Sequence, residues 1–171
     1  MNTSVSLPST EEFLAIEDLI LHRSPMLLLE SVVEWDEMGV SAVVNPASSY
    51  LFADSQGAIP AWVGIEYMAQ TISAFAGIVA RSHGKPISVG LLLGTRRYTT
   101  QVASFAPEQK LLVKVRELLR DETNLVLFDC QIYADKKLLA SAEIKALEPD
   151  DVKAVIAQFA QTHAVMQEKL Q

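Results

Sequence analysis

Residues 57–80 read "GAIPAWVGIEYMAQTISAFAGIVA". The run has helical length and is almost wholly apolar, yet it carries one carboxylate, Glu66, and the next charge along the chain is Arg81. A helix apolar on nearly every side must be surrounded by other elements. Pro60 suits the first turn of that helix, and Gly84 followed by Pro86 suits its end, so the spacing predicts a helix from Pro60 to about His83. On a helical wheel Glu66, Gln70, Ser73 and Gly77 fall at i, i+4, i+7 and i+11. They form one narrow polar or small-residue seam headed by the carboxylate.

Two readings of Glu66 stand side by side. In the first, the carboxylate is satisfied by hydrogen bonds or a distant Arg, and the seam packs closely against another backbone. In the second, it faces a dry cavity and trades a proton there, since burial favours the neutral acid while the helix N-terminus favours the anion. Length alone would also allow a membrane span. Pro60, Glu66, Gln70, Thr71 and Ser73 interrupt that reading, and the remainder of the chain reads as amphipathic strands.

Working outward, "MLLLESVVEWDEMGVSAVVN" (26–45) reads as two strands around a turn near Glu37–Gly39. Residues 46–59 form a loop of 14 residues, long enough to be functional. Four strand-like runs follow the helix, at 87–102, 110–120, 124–134 and 137–147. Lys114, Arg116, Glu143 and Lys145 alternate with apolar neighbours, and the turns between the last runs are short, so antiparallel hairpins are expected. The expected organisation over 1–171 is one α+β domain: a loose tail (1–9), a core (10–147) that opens with a short helix over 10–20, and a C-terminal helix (149–170).

The net charge of −7 argues against a nucleic-acid partner and against a polybasic membrane-surface protein. The single cysteine, Cys130, sits in a strand-like run and reads as a core thiol. No Cys/His spacing resembles a zinc site, and no signal-peptide pattern opens the chain, so a cytoplasmic protein without stable membrane insertion is expected.

Four stretches in order carry a resemblance: "LHRSPMLLLESVVEWDE", "IPAWVGIEYMAQ", "LLLGTRRYTTQVASFAPEQKLLV" and "DCQIYADKKLLASAEIKA". Together they resemble the β-hydroxyacyl-acyl-carrier-protein dehydratases of the hotdog fold, over about residues 10–147. The wording "PAWVGIEYMAQ" is similar to the dehydratase-like proteins of aryl polyene biosynthesis clusters. The resemblance implies a long helix wrapped by a curved antiparallel sheet of about six strands. It implies dimers, homomeric or with another hotdog dehydratase, whose sheets join edge to edge. An acyl chain would arrive on the phosphopantetheine arm of an acyl carrier protein, with no further cofactor and no metal.

In that family a Glu protonates the departing hydroxyl, a His of the other subunit takes the α-proton, and backbone N–H groups polarise the thioester. Glu66 matches the acid. Gly57, Ala58 and Ile59 match the backbone donors, and Phe52, Trp62 and Gln70 stand where substrate contacts are expected. Phe52 occupies the position of the family's His, so the base is missing from this chain. Asp54 and Tyr50 lie in the same loop, and His22 lies in the His-Arg-x-Pro turn, where the family's His is structural. His83 ends the long helix, where a cation would suit the dipole, and His163, on the terminal helix, reads as a surface residue. Arg96 and Arg97, with Arg81 and Lys85, would receive an acidic carrier protein. Beside a dehydratase, two alternatives follow: a non-catalytic subunit paired with a His-containing dehydratase, and a thioesterase.

Overall fold

Pro60 marks the point where extended chain becomes helix. Its fixed φ suits both states, and in the computed structural model, which describes residues 15–149, 151–155 and 157, it ends a two-residue strand, β3 (Ile59–Pro60). A single 3-10 turn (Ala61–Val63) then leads into α1 (Gly64–Ser82). Gly84, at φ 65°, closes the helix as expected. Ahead of it lie β1 (Ser31–Asp36) and β2 (Gly39–Val44); after it come β4 (Leu91–Thr100), β5 (Ser104–Phe105), β6 (Leu111–Arg120), β7 (Leu125–Ala134) and β8 (Lys137–Leu147).

Six strands make one antiparallel sheet in the order β1-β2-β6-β7-β8-β4, and β3 pairs with β5 in a separate short ladder. The sheet carries α1 on one face, chiefly against β2, β6 and β7. Strict alternation along β7 sends Val126, Phe128, Cys130 and Ile132 into the core, where Phe128 meets Phe75 of α1 edge-on at 6.2 Å. Cys130 is fully buried and burial raises its thiol pKa, so the core-thiol reading holds. The helix is long and apolar enough to span a membrane by length and composition, but 61% of that stretch is buried inside the fold.

The expected loop at 46–59 contains two 3-10 turns, Pro46–Ser48 and Tyr50–Phe52. The short helix expected over 10–20 is, in its described part, one 3-10 turn at Ile16–Asp18. Residues 152–155 are helical. Otherwise the C-terminal helix expected over 149–170, with His163, lies outside the described residues.

The two sheet edges differ. β1 is six residues long, carries Glu34 and Asp36, and has a register shift between Val32 and Glu34. Charge, shortness and a bulge all blunt an edge. β4 has register shifts of its own, between Leu92 and Gly94 and between Thr95 and Arg97, and carries Arg96 and Arg97, but it is ten residues long and its Leu92 and Leu93 are 48% and 47% exposed.

Candidate functional site

The seam of α1 meets the segment 19–28, and the contact is close. A Cβ at Gly77 would overlap the carbonyl oxygen of Leu19, so glycine is what lets this backbone approach. One helical row below, Gln70 is fully buried. Its Oε1 accepts from the backbone N–H of Leu28 at 2.9 Å, and its Nε2 donates to the Met26 carbonyl at 2.7 Å. These two backbone partners leave only one orientation for the amide. The same Nε2 donates to Glu66 Oε1 at 2.8 Å. Oε1 is therefore an acceptor, and Oε2 is the oxygen left for a proton.

The same segment presents His22. Arg23 holds it by donating from Nη1 to the carbonyls of Ile20, at 2.8 Å, and His22, at 2.7 Å. The His22 Nε2 stands 3.6 Å from Glu66 Oε1, and the two side chains are 35% and 33% exposed. Its other nitrogen, Nδ1, is buried with no hydrogen-bond partner among the described residues.

Both side chains open into a cleft of about 150 Å³ between α1 and the start of β4, walled by Ile72, Ser73, Leu91 and Leu92. A hollow of about 310 Å³ adjoins it, sharing His22, Ser73 and Gly90 and adding Ile20, Ile87 and Val89. The pair thus sits at the head of a mostly apolar groove that runs along the free edge of the sheet. A carboxyl group, an imidazole and an apolar trough are the parts that proton transfer on a greasy substrate needs.

The other sequence-predicted residues lie elsewhere. Gln70 is consumed by the packing of segment 19–28 and presents nothing to the cleft. Gly57, at φ 81°, donates its N–H to the Asp54 carbonyl at 3.0 Å, and Ala58 donates to Asp54 Oδ1 at 3.0 Å. Those two N–H groups are occupied inside an Asp54-centred turn, and Asp54 is spent as its acceptor. Ile59 is buried opposite Phe105. Phe52 and Trp62 meet edge-on at 5.8 Å, with Trp62 and Tyr50 largely exposed, and none of the three lines the cleft. Arg81, Lys85 and Arg97 are exposed; the side chain of Arg96 is outside what the structure describes. His83 caps the helix end, with Nδ1 2.8 Å from the Val79 carbonyl.

Sequence reasoning gave His22 a structural role. Glu66 and His22 are 44 positions apart, and no spacing rule links a turn to a helix row across that distance. The seam was the available signal: a small-residue stripe calls for a backbone against it, and the segment bearing His22 is that backbone.

A family model described as ApeP dehydratase, ApeP-like, matches residues 14–157. The chain belongs to the ApeP-like dehydratase family. It is similar in structure to the dehydratase heterocomplex ApeI:P from Xenorhabdus doucetiae, at a TM-score of 0.79 and 26% identity, over 85% of this chain and 98% of that one. A putative thioesterase from Shewanella oneidensis aligns at a TM-score of 0.53 and 15% identity, over 70% and 82% of the two chains. A hypothetical thioesterase with coenzyme A from Streptococcus pneumoniae TIGR4 aligns at 0.52 and 14%, over 68% and 86%. At those identities the thioesterases share the fold alone, which is the hotdog fold of an antiparallel sheet around one long helix. No curated protein sequence matches the chain.

Proposed function

We propose that this chain is the Glu-bearing subunit of a dehydratase that removes water from 3-hydroxyacyl thioesters carried on an acyl carrier protein, in aryl polyene or related fatty-acid-like synthesis. The observation that carries the reading is Glu66, part-buried at the head of a mostly apolar groove, with Oε1 accepting from Gln70 and Oε2 without a partner among the described residues. Membership of the ApeP-like dehydratase family supports dehydration as the chemistry.

In the step, a base takes a proton from C2, the C2=C3 bond forms, and the C3–O bond breaks. The departing oxygen takes the proton from Glu66 Oε2 and leaves as water, and Glu66 becomes a carboxylate. The base comes from a second hotdog dehydratase, because the loop position that would supply it here is Phe52. That partner docks on β4, whose outer side is unpaired among the described residues and which exposes Leu92, a wall of the groove, and Leu93. The similarity to one chain of a dehydratase heterocomplex supports the same arrangement. Arg97, exposed on β4 and without an ion pair among the described residues, faces the acidic carrier protein.

The test uses a 3-hydroxyacyl carrier protein, incubated with this chain alone and with a co-expressed hotdog dehydratase, with products resolved by mass spectrometry. Loss of 18 mass units (one water) from the carrier-bound chain in the paired sample is expected. Release of a free acid would instead identify a thioesterase, and an unchanged substrate in both samples would overturn the reading.

A further inference from the structure

Resting on that reading of the cleft, we propose that His22 is a second substrate-contacting group of the same chain. It donates a hydrogen bond from Nε2–H to the thioester carbonyl while Glu66 serves the hydroxyl.

The Leu28 N–H fixes the orientation of the Gln70 amide, and the Gln70 amide makes Glu66 Oε1 an acceptor whether or not the carboxyl is ionised. His22 Nε2 faces that acceptor across 3.6 Å, whereas Nδ1 is buried and faces no partner. A proton on Nδ1 would be a buried donor with no acceptor among the described residues, which is costly, so the proton of the neutral ring belongs on Nε2. At 3.6 Å the N–H is too far from Oε1 for a hydrogen bond of its own, so it remains available to an oxygen entering the cleft.

The substrate class fits the spacing. In a 3-hydroxyacyl thioester the hydroxyl on C3 and the carbonyl oxygen on C1 can lie on the same side of the chain. A chain that gives its hydroxyl to Glu66 Oε2 brings its carbonyl beside Nε2. Withdrawing electrons from that carbonyl acidifies the C2 proton, which is what an oxyanion-type donor contributes. The N–H groups of Gly57 and Ala58 are engaged within the Asp54 turn, and that of Ala61 donates to the Ala103 carbonyl at 3.0 Å, so these three are not the donor. His22 is then an N–H donor and not the missing base.

Two measurements decide this. Imidazole nitrogen NMR of the full-length chain, labelled at histidine, should show the neutral His22 ring protonated on Nε2. That signal should shift when a 3-hydroxyacyl pantetheine with an amide in place of the thioester is added; a ring protonated on Nδ1, or a signal indifferent to the ligand, overturns the proposal. In the complex with its dehydratase partner, His22→Ala should lower kcat/KM for enoyl formation about 100-fold. His22→Gln, whose Nε2 can reach the place of the imidazole Nε2–H, should recover most of that loss. A Gln variant as inactive as the Ala variant would make His22 a base, and an Ala variant as active as wild type would make it structural; either result sinks the proposal. A wild-type complex that forms no enoyl product defeats the dehydratase reading alone, and the tautomer and ligand shift still decide the part played by His22.

Discussion

Gln70 decides more of this site than its neutral side chain announces. It ties segment 19–28 to α1 and sets which oxygen of Glu66 can hold a proton. Gln70→Leu keeps the volume but leaves the Leu28 N–H buried without its partner and removes the bond to the part-buried Met26 carbonyl. The expected cost is about 1–3 kcal/mol for the buried N–H, measured by urea unfolding against wild type. Glu66→Gln should change stability far less, since an amide oxygen can still accept from Gln70 Nε2. The two variants therefore separate fold from chemistry at adjacent positions of one stripe. That stripe was legible from spacing alone, because helical periodicity puts positions 66, 70, 73 and 77 in a row. What the row faced was not legible, because its partner is a segment some 50 residues away. For the same reason Gly57 and Ala58 read as free donors until the Asp54 turn that occupies them was seen.

At the scale of elements, α1 touches its neighbours through two glycines. A Cβ at Gly77 would overlap Leu19, and one at Gly64 would overlap the Tyr98 hydroxyl. Gly77→Ala, although favoured by helix propensity, should destabilise the fold by about 1–3 kcal/mol, read as a lower urea midpoint at unchanged slope. Tyr98 clamps β4 to the start of the helix by donating its hydroxyl to the Ala61 carbonyl. Burial, and then the neighbouring Tyr67, push the Tyr98 pKa up to about 12. An unfolded tyrosine ionises near pH 10. Between those values the unfolded chain releases a proton that the folded chain retains, so stability should fall as pH rises from about 10 to about 12. Tyr98→Phe should be less stable at neutral pH and should lose stability less steeply over that alkaline window. The long elements were readable beforehand, since periods of 3.6 and 2 persist over ten residues or more. The β3–β5 ladder pairs only Ile59 with Phe105 and Pro60 with Ser104, and two residues establish no period.

For the molecule as a whole, the β4 edge is where the chain is unfinished. An edge with exposed leucines beside an open groove is a poor surface to leave in water. Replacing Leu92 and Leu93 together with Glu should weaken association with the partner dehydratase at least about tenfold, measured by sedimentation velocity of the co-expressed pair. An unchanged sedimentation profile would move the interface to another surface. The hotdog architecture and its curved sheet were legible from four stretches in order, but the asymmetry between a short β1 edge and a long β4 edge that exposes two leucines emerged only once strand order was known.

All of this converges on the proton that the proposed reaction takes from Glu66. The most direct test is a single-turnover reaction of the two-subunit complex with a 3-hydroxyacyl carrier protein, comparing wild type with Glu66→Gln. Loss of general-acid catalysis predicts enoyl formation at least about 100-fold slower in the variant, with the complex intact. Equal rates in the two would remove Glu66 from the chemistry and contradict the account.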